Sequence, residues 1–133
     1  MKFMLLQIYA ATEVVSEPMS AWAPEDVEAH IDFQRRLNQE LRERGELVEA
    51  QALTGPELAK IVVSDGAGAP VVTDGPFAEA KELLAGYRIV DVESPERAIE
   101  IAARASAAPG PKGVPIEQPI EVREVMGAPG PEV

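Results

Sequence analysis

The side chain best placed for chemistry is Asp74, which stands directly before Gly75-Pro76. A carboxylate on a constrained turn at a strand end can point into a cleft. Burial or a neighbouring carboxylate would then raise its pKa towards the range of a general acid or base. The same Asp-Gly-Pro sequence also describes a plain turn in which Asp74 caps backbone N–H groups. Both readings stand on these residues, and a bulky substitution at Gly75 would damage either one if that glycine uses positive φ.

His30 is the single histidine. On a helix its position falls between those of Leu37 and Leu41 viewed down the axis, so it points inward. There it is either a neutral, hydrogen-bonded histidine at the edge of the core or the proton-transfer partner of Asp74. Lys81, flanked by Glu79 and Glu82, can hold an anionic group, yet helical spacing puts the two glutamates on one face and Lys81 on another. A solvated charged face is the competing account. Tyr9 and Tyr87 can donate hydrogen bonds to a ligand and Arg88 can clamp a carboxylate, although strand packing and interface ion pairs use the same residue types. Trp22 is placed to cover a pocket or to anchor its loop.

The composition removes several mechanisms. With no cysteine there are no thiolate metal sites, disulfides or thiol nucleophiles, and one histidine leaves no spaced His pair for a metal. No phosphate loop or dinucleotide fingerprint follows a strand, no serine lies in a nucleophile elbow, and we expect no metal and no cofactor. A formal charge of −11, from 23 acidic and 12 basic side chains, repels a polyanion, so nucleic acid is not an expected partner. No apolar run approaches the ~20 residues that span a bilayer. These features fit a cytoplasmic protein without membrane contact.

The elements that must position these groups follow from periodicity. At 133 residues, 46% of them apolar, the chain suits one domain with its own core, expected over 1–126 with a mobile tail at 127–133. Lys2–Ala10 reads as a strand with Met4, Leu6 and Ile8 on one face and Phe3, Leu5 and Tyr9 on the other. Both faces call for cover, and a second copy of the sheet is the simplest cover for one of them. Pro24 opens a helix that runs to about Arg44 and stops at Gly45, with Val27, Ile31, Gln34, Leu37, Asn38 and Leu41 as its stripe. Strands are expected at Leu47–Leu53, Leu58–Val63, Val71–Thr73, Gly86–Val92 and Ile120–Met126, with a short helix over Phe77–Leu84. Ser94 caps a second helix that buries Ala98, Ile101, Ala102 and Ala105. This order predicts an α+β, ferredoxin-like antiparallel sheet with two main helices on one face.

The segment Asp74-Gly75-Pro76-Phe77-Ala78-Glu79-Ala80-Lys81-Glu82 resembles the signature of the DGPF-type subgroup of YCII-related proteins, departing at Ala80, where Thr is common. Lys2–Leu6, Gly86-Tyr87, Asp91-Val92 and Ile120–Met126 agree with the same family. The resemblance implies a ferredoxin-like subunit that dimerises sheet to sheet into an α+β barrel, with a pocket between sheet and helices. That architecture hosts isomerases, lyases, monooxygenases and binding proteins, so it does not name a reaction. In better-studied YCII proteins a helix-borne His and an Asp are suspected to act together, but no distinctive local motif anchors that His to His30. Genes of this subgroup often lie beside sigma factors, which makes a sigma factor a partner implied by resemblance alone. The expectation is therefore a homodimer with a small-molecule ligand. It is either a cofactor-independent enzyme moving protons in an elimination or isomerisation, with Asp74 as base and His30 or Lys81 assisting, or a non-catalytic ligand-binding or regulatory protein.

Overall fold

The computed structural model describes residues 1–9, 17–75 and 83–128, with only the backbone at Tyr9. Strand β1 (Lys2–Tyr9) is followed by helix α1 (Pro24–Glu43), strands β2 (Leu47–Ala52), β3 (Lys60–Val63), β4 (Val71–Asp74) and β5 (Leu83–Asp91), helix α2 (Pro95–Ser106) and strand β6 (Ile120–Glu124). The main sheet has the order β2-β5-β1-β6, and each neighbouring pair is antiparallel. With both helices on this sheet the chain has the α+β, ferredoxin-like arrangement of two interleaved strand-helix-strand units. Strands β3 and β4 form a separate hairpin.

Helix α1 begins with Pro24 at its first position and Glu25 and Asp26 in its first turn, which match the positive end of the dipole. It ends in a Schellman motif. Gly45 has φ +72°, its N–H donates to the Arg42 carbonyl at 3.0 Å, and the Glu46 N–H donates to the Leu41 carbonyl at 2.8 Å. Helix α2 is capped as its sequence predicts, with Ser94 Oγ accepting from the Arg97 N–H at 3.2 Å.

The core fills the space between sheet and helices. Phe3 and Leu5 from β1, Val90 from β5, Leu37 and Leu41 from α1, and Ala98, Ile101, Ala102 and Ala105 from α2 are buried there together. Burying a side chain such as Leu41 stabilises the fold by about 1.5–3 kcal/mol. Across this layer a bidentate ion pair ties α2 to the turn after α1. Arg97 Nε and Nη2 each lie 2.9 Å from a different oxygen of the buried Glu46 carboxylate, and Arg44 Nε lies 2.8 Å from one of them.

Three local expectations change. Leu83 and Leu84 are the first residues of β5, paired to Tyr9 and Ile8, so the helix expected over Phe77–Leu84 does not extend to them; residues 77–82 lie outside the description. Cross-strand pairing along β1 wins over local helix propensity there. Leu58 belongs to a one-turn 3-10 helix, Pro56–Leu58, because Pro56 cannot donate to a ladder. Gly75 does not have positive φ; its constraint is steric, since a Cβ there would sit 3.1 Å from the Ile61 side chain. Of the tail, 129–133 lie outside the described residues.

Candidate functional site

A cleft of about 980 Å³ opens between the middle of α1, from His30 to Asn38, and strands β2 and β5 of the sheet. Small residues on its floor leave it room: Ala50 pairs with Arg88, and Ala52 pairs with Gly86. Gly86 is fixed there by crowding, since a Cβ would lie 2.8 Å from the Gln51 carbonyl oxygen.

Arg88 is the centre of this floor. It is 3% exposed, on the central strand β5, yet its guanidinium meets neutral amides. Nε donates to Asn38 Oδ1 at 2.8 Å, and Nη2 donates to Gln34 Oε1. Burial pulls its pKa down to about 10. A guanidinium only donates, so its bond to Gln34 fixes that amide with the oxygen facing Arg88 and the NH₂ facing away.

The NH₂ of Gln34 then points at His30, with Nε2 to Nε2 of 3.4 Å. His30 Nδ1 lies 3.0 Å from the Pro109 carbonyl oxygen, which can only accept, so the ring proton sits on Nδ1. Nε2 therefore carries a lone pair. Burial, and secondarily the charge of Arg88, lower the His30 pKa below 6.5 against the opposing pull of the Pro109 bond, keeping the ring neutral at neutral pH. Trp22 meets His30 edge to face, with ring centroids 5.6 Å apart and planes at 82°, and its Nε1 donates to the Glu17 carbonyl at 3.2 Å. The tryptophan thus anchors its loop and walls the cleft at once. His30, Gln34, Asn38 and Arg88 form one directed hydrogen-bond chain running from β5 through α1 to the Pro109 segment.

The residues singled out from sequence divide. His30 and Arg88 share the cleft. Asp74 does not line it: at the end of β4 its side chain is 83% exposed and forms a cross-strand ion pair with Lys60. Tyr87 alternates with Arg88 and faces the other side of the sheet, where Glu49 is its polar neighbour and burial raises its pKa. It nonetheless stands among the residues that line the cleft. Lys81 and the Tyr9 side chain lie outside the described residues. Gln34 and Asn38 were read from sequence as members of a packing stripe. Their signal was there, since two amides facing inward beside Leu37 and Leu41 require a polar partner.

Among the described residues no three of His, Cys, Asp and Glu come together to hold a metal ion, and no helix is long and apolar enough to cross a membrane. Comparison with known proteins adds a family. The YCII-related domain matches residues 1–116, ending before β6. A protein of Rhizobium meliloti (strain 1021), described only as uncharacterized, is 34% identical over 83 residues, which are 62% of this chain and 66% of that protein. The match thus spans just under two thirds of that relative's length.

Proposed function

The chain belongs to the YCII-related family, and from that premise we propose that the α1–sheet cleft performs cofactor-independent proton transfer, an elimination or isomerisation, on a small organic molecule. The supporting observation is the hydrogen-bond chain that makes His30 Nε2 the acceptor nitrogen of the ring, held by a long 3.4 Å bond from the Gln34 amide that a substrate would displace, near the Arg88 cation. A neutral imidazole accepts a substrate proton, and Arg88 stabilises the negative charge that develops as the proton leaves. In this reading the role of base passes from Asp74 to His30, and Asp74 serves the β3–β4 hairpin through Lys60. The signature around Asp74 further supports membership of the DGPF-type subgroup, and the absence of cysteine fits work in the cytoplasm.

Sheet pairing into a homodimer belongs to the same proposal. Met4, Leu6, Ile8, Leu84 and Ile89 share the sheet face away from the helices, by their register and alternation. A second copy would cover that face, and Leu6→Glu would convert the dimer to monomer in light scattering.

Deuterium wash-in tests the chemistry. Small carbonyl and carboxylate compounds incubated with the protein in D₂O should gain deuterium at carbon with wild type and not with His30→Ala. A ligand that perturbs Trp22 fluorescence but exchanges no C–H proton would sink the catalytic role. It would favour a ligand-binding or regulatory protein, the reading that the 7% exposure of His30 supports. Co-purification of a sigma factor without turnover would extend that second reading.

A further inference from the structure

Among the described residues three polar or charged side chains are buried, His30, Glu46 and Arg88. Glu46 has its counter-ions in Arg97 and Arg44, and His30 has the Pro109 carbonyl and the Gln34 amide. Arg88 alone of the three is a buried ion without an opposite charge among the described residues, in a chain that carries 23 acidic residues. Leaving a guanidinium so carries a desolvation cost that neutral amides offset only in part. A fold tolerates such a group when something else completes it.

The geometry says where. Nε and Nη2 are held by Asn38 and Gln34, while Nη1 has no protein partner among the described residues. No buried polar side-chain atom among the described residues lacks a hydrogen bond, so Nη1 must reach accessible space, and the space beside Arg88 is the cleft. Nη1 and the second hydrogen of Nη2 form one edge of the guanidinium, the edge that takes both oxygens of a carboxylate. Trp22, Ile31, Leu53 and Pro56 supply apolar wall, whereas Glu17 and Glu57 stand in the lining. Arg88 and the exposed Arg35 balance Glu17 and Glu57, so the lining has no excess positive charge; Arg88 can pair one carboxylate, whereas a phosphate dianion would be left undercompensated.

We infer that the cleft is a receptor for an organic monocarboxylate, with the carboxylate held on the open edge of Arg88 and an apolar body against Trp22 and Ile31. This deepens the proton-transfer reading by naming its substrate class. It rests on that cleft as the ligand site and not on His30 as a base. Held this way, the carboxylate would bring the adjoining carbon towards His30, so the acidic C–H would lie next to the carboxylate.

Trp22 is the single tryptophan, so its fluorescence reports on the cleft directly. Hexanoate, octanoate and phenylacetate would each be titrated against the matching neutral amide. At least one carboxylate should bind ~10-fold or more tightly than its amide, the difference expected of a charge-assisted pair. Arg88→Met should erase that preference and leave amide binding within about threefold, whereas Arg35→Met, on an exposed cation that also lines the cleft, should preserve it. Equal binding of acid and amide across all three pairs, or no binding by any acid, overturns the inference with wild type alone. Loss of the preference in Arg35→Met instead overturns the assignment to Arg88. A carboxylate preference without deuterium wash-in would leave this inference standing and remove the proton-transfer reading.

Discussion

Replacing Glu46 by Gln removes the charge of a carboxylate that three guanidinium hydrogen bonds hold against α2 and the end of α1. Glu46 is 8% exposed, and the Arg97 fork first, then Arg44, lower its pKa from an ordinary 4.5 to about 2 against the opposing effect of burial. At about 1.4 kcal/mol per pKa unit this corresponds to about 3 kcal/mol at neutral pH. Folding lowers the pKa, so the contribution is fully present above the unfolded value of 4.5 and is lost as pH falls towards 2. The amide of Glu46→Gln would keep one acceptor oxygen but leave Arg44 without its carboxylate and Arg97 with only the exposed Glu100, so a loss of about 2–3 kcal/mol is expected at pH 7. Urea unfolding followed by far-UV circular dichroism, at one protein concentration so that any assembly contributes equally, measures it. The gap between wild type and Glu46→Gln should shrink steadily as pH falls from 4.5 towards 2. A variant as stable as wild type at pH 7, or a gap that does not change with pH, would refute the reasoning.

Gly86→Ala puts a methyl group 2.8 Å from the Gln51 carbonyl oxygen, and a loss of about 1–3 kcal/mol in the same unfolding assay is expected. Asp74→Asn should change stability by less than about 1 kcal/mol, because its partner Lys60 is exposed like itself; a larger loss would show that the hairpin depends on the pair. The carbon-bound ring protons of His30 should titrate in NMR with a midpoint below 6.5, and Arg88→Met should move that midpoint upward by removing a nearby positive charge. The unfolded histidine binds its proton first, so this residue makes the protein less stable as pH drops below 6.5, until the folded ring also protonates.

The local elements were readable because their signals are local. Pro24 and Gly45 bracket α1, Ser94-Pro95 opens α2, and the alternation in Lys2–Tyr9 separates Phe3 and Leu5 from Met4, Leu6 and Ile8 before any fold is known. The inward direction of His30 likewise follows from its angle on a helix whose other inward residues include Leu37 and Leu41. Each of these depends on backbone geometry within a few turns.

The site depended on longer-range choices. Arg88 and Asn38 are 50 residues apart, and His30 and the Pro109 carbonyl are 79 apart. Nothing in their spacing says that they meet until β5 takes the place between β2 and β1 and α1 lies across it. The same placement separated Asp74, whose sequence context looked the most chemical, by putting β3 and β4 into their own hairpin. By itself the sequence determined the two main helices, most strands, the family resemblance and the two-faced first strand. Only the tertiary structure decided which polar groups share the low-dielectric cleft, because strand order and helix placement are set by burial of the whole apolar surface and not by any one segment.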